Sequence, residues 1–341
     1  MSSNPIKNVR QVIEAAYRID LTQSEWQGTL GQEIFRRREL GSGLLAYEFD
    51  ASSDDGYVRI GETAAVGDIG PFLRLTEPVH SRPVGGEYAL AVARGTHVST
   101  TRRVIRDGGS GGPESSLLLR GIAVAGYRDI WAVCCVNPDA TGIAFAIPCQ
   151  KEPDALPSAL RRQWTQIGVH IAASHRLRRR LATGNQETPS GIFDAAGRPA
   201  HLEAGAVKDR EALTQFVKSI DKARAREARG GDEDLLSLWR GLVAGRWSVF
   251  DHVDTDGKHY LVAYENDPEA RSPKRLTRRE TQVATYAAQG HTNKFIAYEL
   301  GIGVSTVATH LRSALHKLGL SRRAELVWLY GQLQGEGANA N

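Results

Sequence analysis

From residue 276 onward, apolar positions recur every three or four residues, the period of a helix packed along one face. Thr277, with Glu280 three residues on, has the form of a capping box; Val283 and Ala287 follow at helical spacing, and Gly290 stops the run. Thr292 or Asn293 caps a short helix, Lys294 to Leu300, with Ile296, Ala297 and Leu300 on one face. Gly301 ends that helix and Ile302 anchors the turn. Ser305 opens a third helix, Thr306 to Leu318, whose apolar stripe is Val307, Leu311, Leu315 and Leu318, with Gly319 as its stop. Ser321 caps a fourth helix carrying Ala324, Leu326 and Val327. Two short helices joined by a tight turn, the second apolar inside and polar outside, predict a helix-turn-helix.

Ahead of this module the pattern is mixed. Arg128 to Val136, the turn Asn137 to Gly142, and Ile143 to Pro148 predict a β-hairpin with an apolar first strand. Further strands are expected at Gly43 to Phe49, Val58 to Ile60 and Leu117 to Ala125, with helices at Ile6 to Ile19 and Trp26 to Glu39. A long helix over Leu156 to Leu181 carries Leu160, Trp164, Ile167, Ile171 and Leu177 on one side. Its Arg-rich end, Arg176 to Arg180, reads as a solvated helix terminus. A second unit follows. Gly191 to Arg198 predicts strand, tight turn and strand; helices are expected over Val207 to Arg229 and Asp234 to Ala244. Arg246 to His252 and His259 to Tyr264 then pair around Thr255-Asp256-Gly257. Polar stretches at Thr183 to Pro189 and Asn266 to Pro273 mark the boundaries, giving units at 1–182, 189–266 and 274–333 and a tail at 334–341 expected to be disordered. The fold class is α+β, followed by an all-α four-helix module.

Composition agrees with a chain of two or three soluble domains: 341 residues, 41% hydrophobic and 24% charged. No apolar run is long enough to cross a membrane, and the N-terminus lacks the pattern of a signal peptide, so the expected location is the cytoplasm. Charge changes the picture more. Residues 271–335 hold ten Lys or Arg against three acids, a formal +7 in a chain of +4, which leaves the remainder at −3. A basic module on a mildly acidic body suits a polyanion partner.

Catalytic patterns are lacking. Asp107 to Gly112 is a glycine-rich loop with no Lys-Ser/Thr after it, and there is no H-E-x-x-H and no receiver-type phosphoacceptor. A non-enzymatic protein is expected. Cys134, Cys135 and Cys149 read as small buried hydrophobes; the adjacent pair points to opposite faces of a strand and cannot share a ligand. His170 on its helix reads as structural rather than as a haem or metal ligand. No metal and no cofactor is identified, and an unknown small-molecule ligand stays open.

The run LTRRETQVATYAAQGHTNKFIAYELGIGVSTVATHLRSALHKLGLSRRAELV resembles the LuxR-type (GerE-like) DNA-binding domain. The likeness lies in the L-T-x-R-E opening, the A-x-G-x-T-N-K-x-I-A scaffold helix, S-T-V-x-x-H in the recognition helix, and K-L-G followed by S-R-x-x-E-L. It covers roughly 60 of 341 residues. The resemblance implies that the recognition helix enters the major groove of double-stranded DNA. Its outward residues are Ser305, Ala308, Thr309 and Arg312; Arg312 can pair with a guanine edge and Thr309 can meet a thymine methyl. Ser305, Thr306 and His310 lie near the backbone, Lys294 sits at a helix N-terminus suited to phosphate, and Lys317, Arg322 and Arg323 add screened attraction. Where many members carry Lys, this chain has Ala308, which cannot donate a hydrogen bond, so base reading falls mainly to Arg312. The fourth helix, with Leu326, Leu329, Tyr330 and Leu333, implies a homodimer on a roughly palindromic site.

Residues 1–182 are similar in architecture to a GAF domain, and 189–266 to a PAS domain. Sensory units of this kind imply a regulator controlled by a small-molecule or protein signal bound within 20–182. The other reading is a constitutive DNA-binding regulator whose N-terminal units serve only dimerisation or protein contacts. RNA polymerase is a partner either reading allows, although no sequence feature marks a surface for it.

Overall fold

The computed structural model describes residues 9–327 apart from 37–40, 53–56, 82–96, 108–112, 152, 154–157, 183–188, 195–196, 204–209, 212, 215–216, 219–246, 254–258, 267–275, 319, 321 and 325. The helix expected over 234–244, most of that over 207–229, the boundary stretch 183–188, residues 267–273 and the tail lie outside the described residues.

Two short helices lead in, α1 (Val9–Ala16) and α2 (Gln23–Phe35). Thr22 and Glu25 close a capping box at the start of α2, and Trp26, Leu30 and Ile34 form its buried face. The first sheet has five antiparallel strands in the order β2-β1-β5-β4-β3. They are β1 (Gly43–Asp50), β2 (Arg59–Gly67), β3 (His97–Thr100), β4 (Asp129–Val136) and β5 (Thr141–Cys149). The expected hairpin is β4–β5, in register from Asp129–Cys149 to Val136–Gly142. Three helices lie between strands: α3 (Gly70–Ser81), α4 (Thr101–Asp107) and α5 (Pro113–Val124). The long helix α6 (Ser158–Ala182) closes the unit.

Both faces of this sheet are covered, and the period of two along its strands divides them. Leu44, Ala46, Trp131, Val133, Cys135, Phe145 and Ile147 share a core with α1, α2 and α6. Leu45, Ile130 and Ala146 instead meet Ile69, Phe72, Ile122 and Tyr127 on the side of α3 and α5. Cys135 and its neighbour Cys134 therefore fall in different clusters. All three cysteines are free and buried. Burial raises the Cys134 thiol to about 12 and the Cys149 thiol to about 11, so both stay protonated and inert.

The strand expected at Leu117 to Ala125 is wrong: Leu117 to Val124 belong to α5 and Ala125 to the turn after it. Its three consecutive leucines are unbranched at Cβ and favour a helix, and Pro113 occupies the first helical position, where its missing N–H costs nothing. Leu118, Leu119 and Ile122 then meet the sheet at helical spacing. A short apolar run does not by itself distinguish strand from helix. The strand beginning near Val58 is longer than expected, and β3, α3 and α4 lacked a periodic signal.

The second sheet has four antiparallel strands in the order β7-β6-β9-β8: β6 (Gly191–Asp194), β7 (Pro199–Leu202), β8 (Trp247–Val253) and β9 (His259–Glu265). The expected pairing of the last two runs from Trp247–Glu265 to Val253–His259. Phe193, Trp247, Val249, Leu261 and Ala263 join the same hydrophobic cluster as α1, α2 and α6, so one core runs between the sheets. Asn266, at the start of the sequence-level linker, is buried and donates from Nδ2 to the Ala173 carbonyl of α6 and to Ser248 Oγ.

The described residues continue with α7 (Arg278–Ala288), α8 (Asn293–Leu300) and α9 (Val304–Lys317), and residues 323–324 and 326–327 are again helical. Their own core contains Val283, Ala287, Ile296, Leu300, Val307, Leu311, Ala314 and Leu326.

Candidate nucleic-acid interface

The sequence sets each helix of the C-terminal unit by its ends. Thr277 accepts from the Glu280 N–H while the Glu280 carboxylate accepts from the Thr277 N–H, closing the predicted capping box on α7. Thr292, not Asn293, caps α8 by accepting from the Phe295 N–H at 3.2 Å. Gly301 takes φ 65°, a left-handed conformation that suits a residue without Cβ, and the Ile302 N–H returns to the Ala297 carbonyl at 3.1 Å. The chain thereby reverses in three residues and α9 begins at Val304, two residues before the expected first helical residue, Thr306, so Ser305 lies inside the helix.

The turn fixes which face of α9 looks outward. Val307, Leu311 and Ala314 are buried, whereas Ser305, Thr306, Thr309 and Arg312 are exposed and Ala308 and His310 are half-buried. Thr309 Oγ1 donates to the Ser305 carbonyl one turn back at 3.1 Å, which orients the hydroxyl along the helix. Lys294 is exposed in the first turn of α8, beside unpaired N–H groups and the positive end of the helix dipole. These seven outward groups can meet phosphates and base edges together.

The remaining sequence candidates occupy different settings. Lys317 Nζ donates to Glu280 Oε2 at 2.7 Å, and Ser313 Oγ donates to the other carboxylate oxygen. Those two bonds and the Thr277 backbone pull the Glu280 carboxyl down from 4.5 to about 2. Lys317 therefore ties α9 to α7. Arg323 Nη1 donates to Asn293 Oδ1 at 2.9 Å and Nη2 to the Ala287 carbonyl at 3.4 Å, linking the fourth segment to α7 and α8. Arg322 is exposed. Leu326 is buried in the unit's own core, out of a partner's reach, while the adjacent Val327 is exposed. Leu329, Tyr330 and Leu333 lie outside the described residues.

The unit rests on α6 through α8. Val169 packs against Tyr298 and Phe295. His170 Nε2 lies 3.3 Å from Tyr298 Oη, and its Nδ1 lies 3.5 Å from Tyr17 Oη, an arrangement a neutral imidazole satisfies as donor on one side and acceptor on the other. Burial drives the His170 pKa from 6.5 to about 3, which keeps the ring neutral. Arg176 Nη1 donates to Glu299 Oε1 at 3.3 Å and to Asn137 Oδ1 at 3.0 Å, and Tyr286 Oη donates to the same Glu299 oxygen at 2.8 Å. Burial lifts the Glu299 carboxyl above its ordinary range, against the pull of Arg176 and the Tyr286 hydroxyl.

The expectation of a solvated Arg-rich terminus on α6 therefore fails for two residues. Arg176 is half-buried at this seam, and Arg178 packs over the Trp26 ring at 4.8 Å while donating to the Arg18 and Leu21 carbonyls. A charge run reads as solvated because isolated charges are costly to bury; distant acceptors remove that cost, and the local sequence does not reveal them. The partners Glu299 and Asn137 lie far along the chain from Arg176. Glu299 was not singled out in the sequence; its position beside the apolar Tyr298 and Leu300 was the available signal.

Residues 274–330 match the family described as bacterial regulatory proteins, luxR family. The chain is also similar to curated regulators named HTH-type transcriptional regulator MalT. The Vibrio parahaemolyticus protein is 37% identical over 151 residues, 44% of this chain and 15% of that protein. For the Vibrio cholerae protein the figures are 37% over 167 residues, 49% of this chain and 17% of that protein. The Vibrio campbellii protein is 27% identical over 151 residues, 44% of this chain and 15% of its own length. This chain thus spans less than a fifth of the relatives it matches. The capped helices, the left-handed turn at Gly301 and the family match agree that the C-terminal unit is a LuxR-type helix-turn-helix domain.

Proposed function

We propose that the chain is a transcription regulator that binds double-stranded DNA through α9 as a homodimer on a roughly palindromic operator. The observation that carries this reading is the outward face of α9: Ser305, Thr306, Thr309 and Arg312 are exposed on a helix whose other side is buried, in the segment matching the luxR family. Arg312 reads a guanine edge in the major groove, and Lys294 and the hydroxyls of Ser305 and Thr306 hold the phosphates. Pairing of subunits runs through the fourth helix, with Leu329, Tyr330 and Leu333.

Control by a signal is the second element of the proposal. The units at 1–182 and 189–266 act as GAF-like and PAS-like sensors for a small molecule or a protein. Supporting this, each contains an antiparallel sheet, and both sheets share α6 and its core. Operator selection from a random duplex library with the full-length chain tests the reading. The expected result is an enriched, roughly two-fold symmetric sequence. Recovery of no preferred sequence, or of an asymmetric one bound by a monomer, would overturn the corresponding part.

A further inference from the structure

The domain that presents α9 is held to the body by α8. Among the described residues, Arg176–Glu299 and His170–Tyr298 are polar links across that seam, and Val169 packs there against Tyr298 and Phe295. Arg176 and Glu299 side chains are 12% and 3% exposed, so neither charge is replaced by water if the other leaves. Tyr286, from the core of the C-terminal unit, braces Glu299 from behind, and Asn137, from the β4–β5 turn, braces Arg176. The partners are thus oriented before they meet. None of the seven outward groups on α8 and α9 takes part.

We infer that this seam is a positioning clamp: the body sets the orientation of the recognition helix through α6 and α8 without covering the surface that faces DNA. Because α6 also carries Ala173, which receives Asn266 from the second sheet, and Leu177 and Trp164 in the shared core, a shift of α6 caused in either sheet moves the helix-turn-helix with it. The inference rests on the DNA-reading proposal for its consequence only; the clamp itself is read without DNA.

The test uses the full chain and hydrogen exchange with mass spectrometry. Arg176→Met leaves Glu299 buried without its countercharge, so the seam should open. Exchange should rise about tenfold or more in segments 169–176 and 293–300, with β4 and β5 unchanged. Arg179→Met, one turn away at the helix end, should leave both segments unchanged. Unaltered exchange in Arg176→Met would overturn the clamp. If that substitution also loosens β4 and β5, Tyr298→Ala decides: it removes the seam contact from the other side and must speed exchange in 169–176.

Binding of a short generic duplex, one half-site long, reads the second half of the inference. Arg176→Met should bind it within about twofold of the parent protein. A gain of tenfold or more would mean that the seam masks the DNA face, and would overturn the open-face claim. Absence of binding by both proteins would count against the DNA-reading proposal and leave the exchange result standing.

Discussion

The C-terminal unit has two working faces, and they are built on opposite principles. The α9 face carries small hydroxyls and one arginine, exposed and held only within their own helix. The α8 face carries a tyrosine and a glutamate, buried and held by residues more than a hundred positions away. A surface that must meet a polyanion keeps its donors in water, where leaving them unpaired costs little. A surface that must keep one geometry removes its charges from water, so that each demands its partner. Similar residue types thus serve adaptable recognition on one side and fixed orientation on the other.

Substitutions at the exposed face give the largest expected effects. Arg312→Ala should lower affinity for the selected operator by about 1–3 kcal/mol and flatten the preference at one position, while affinity for unrelated duplexes changes little. Lys294→Ala should weaken binding to all sequences alike and reduce the salt slope by about one. Neither should move the midpoint of thermal unfolding, since neither side chain is buried. Equal losses on every duplex for both variants, measured by fluorescence anisotropy at several salt concentrations, would remove the division between reading and anchoring.

Much of this outward face was legible in the sequence because its determinants are local. The Thr277–Glu280 box, the Thr292 cap, Gly290 and Gly301 act within four residues, and the apolar stripe Val307–Leu311 fixes the rotation of α9. The β4–β5 and β8–β9 pairings were legible for the same reason. The seam was not. Arg176 and His170 acquire their roles from Glu299, Asn137, Tyr298 and Tyr17, which sequence spacing does not bring near them. Lys317 shows the same limit within a single module. Its place in a basic region suggested DNA, whereas folding of α7 brings Glu280 to it.

The buried face should respond to acid. His170 has a folded pKa of about 3 against an ordinary 6.5, so the unfolded chain binds the proton more readily below 6.5. Its contribution is complete above about 6.5 and is lost as the pH falls toward about 3, at up to about 1.4 kcal/mol per pH unit. Tyr17 and Tyr298 face the ring, and Tyr17 is itself lifted to about 12, so it stays neutral throughout this window. Denaturant unfolding between pH 7 and 4 should show the slope, and His170→Gln should flatten it. An unchanged slope in that variant would assign the acid sensitivity to other groups.

Glu280 offers a smaller effect at lower pH. With its carboxyl lowered to about 2 by Lys317, Ser313 and the Thr277 backbone, its contribution is present above about 4.5 and disappears as the pH falls toward 2. Glu280→Gln should cost about 1–2 kcal/mol at neutral pH, because Gln keeps the capping box but loses the charge-assisted bonds to Lys317 and Ser313, and should reduce the pH dependence within that window. A thermal-unfolding series from pH 6 to 2.5 compares the two proteins directly.

Lys317 stands between the two principles and gives the smallest expected change. Its ammonium is partly exposed yet bonded to a carboxylate that is nearly buried. Lys317→Met keeps the length of the side chain and leaves Glu280 with Ser313 and the Thr277 backbone as donors. Stability should fall by no more than about 1 kcal/mol, because the lysine end of the pair is open to solvent. The carboxyl of Glu280 should then titrate at higher pH than in the parent protein, since its first stabilising partner is gone. DNA affinity should fall less than in Lys294→Ala, where the cation stands clear at a helix N-terminus. If Lys317→Met instead lost as much DNA affinity as Lys294→Ala with no shift in the Glu280 titration, followed by carboxyl carbon NMR, the residue would belong to the outward face and its bond to Glu280 would be incidental.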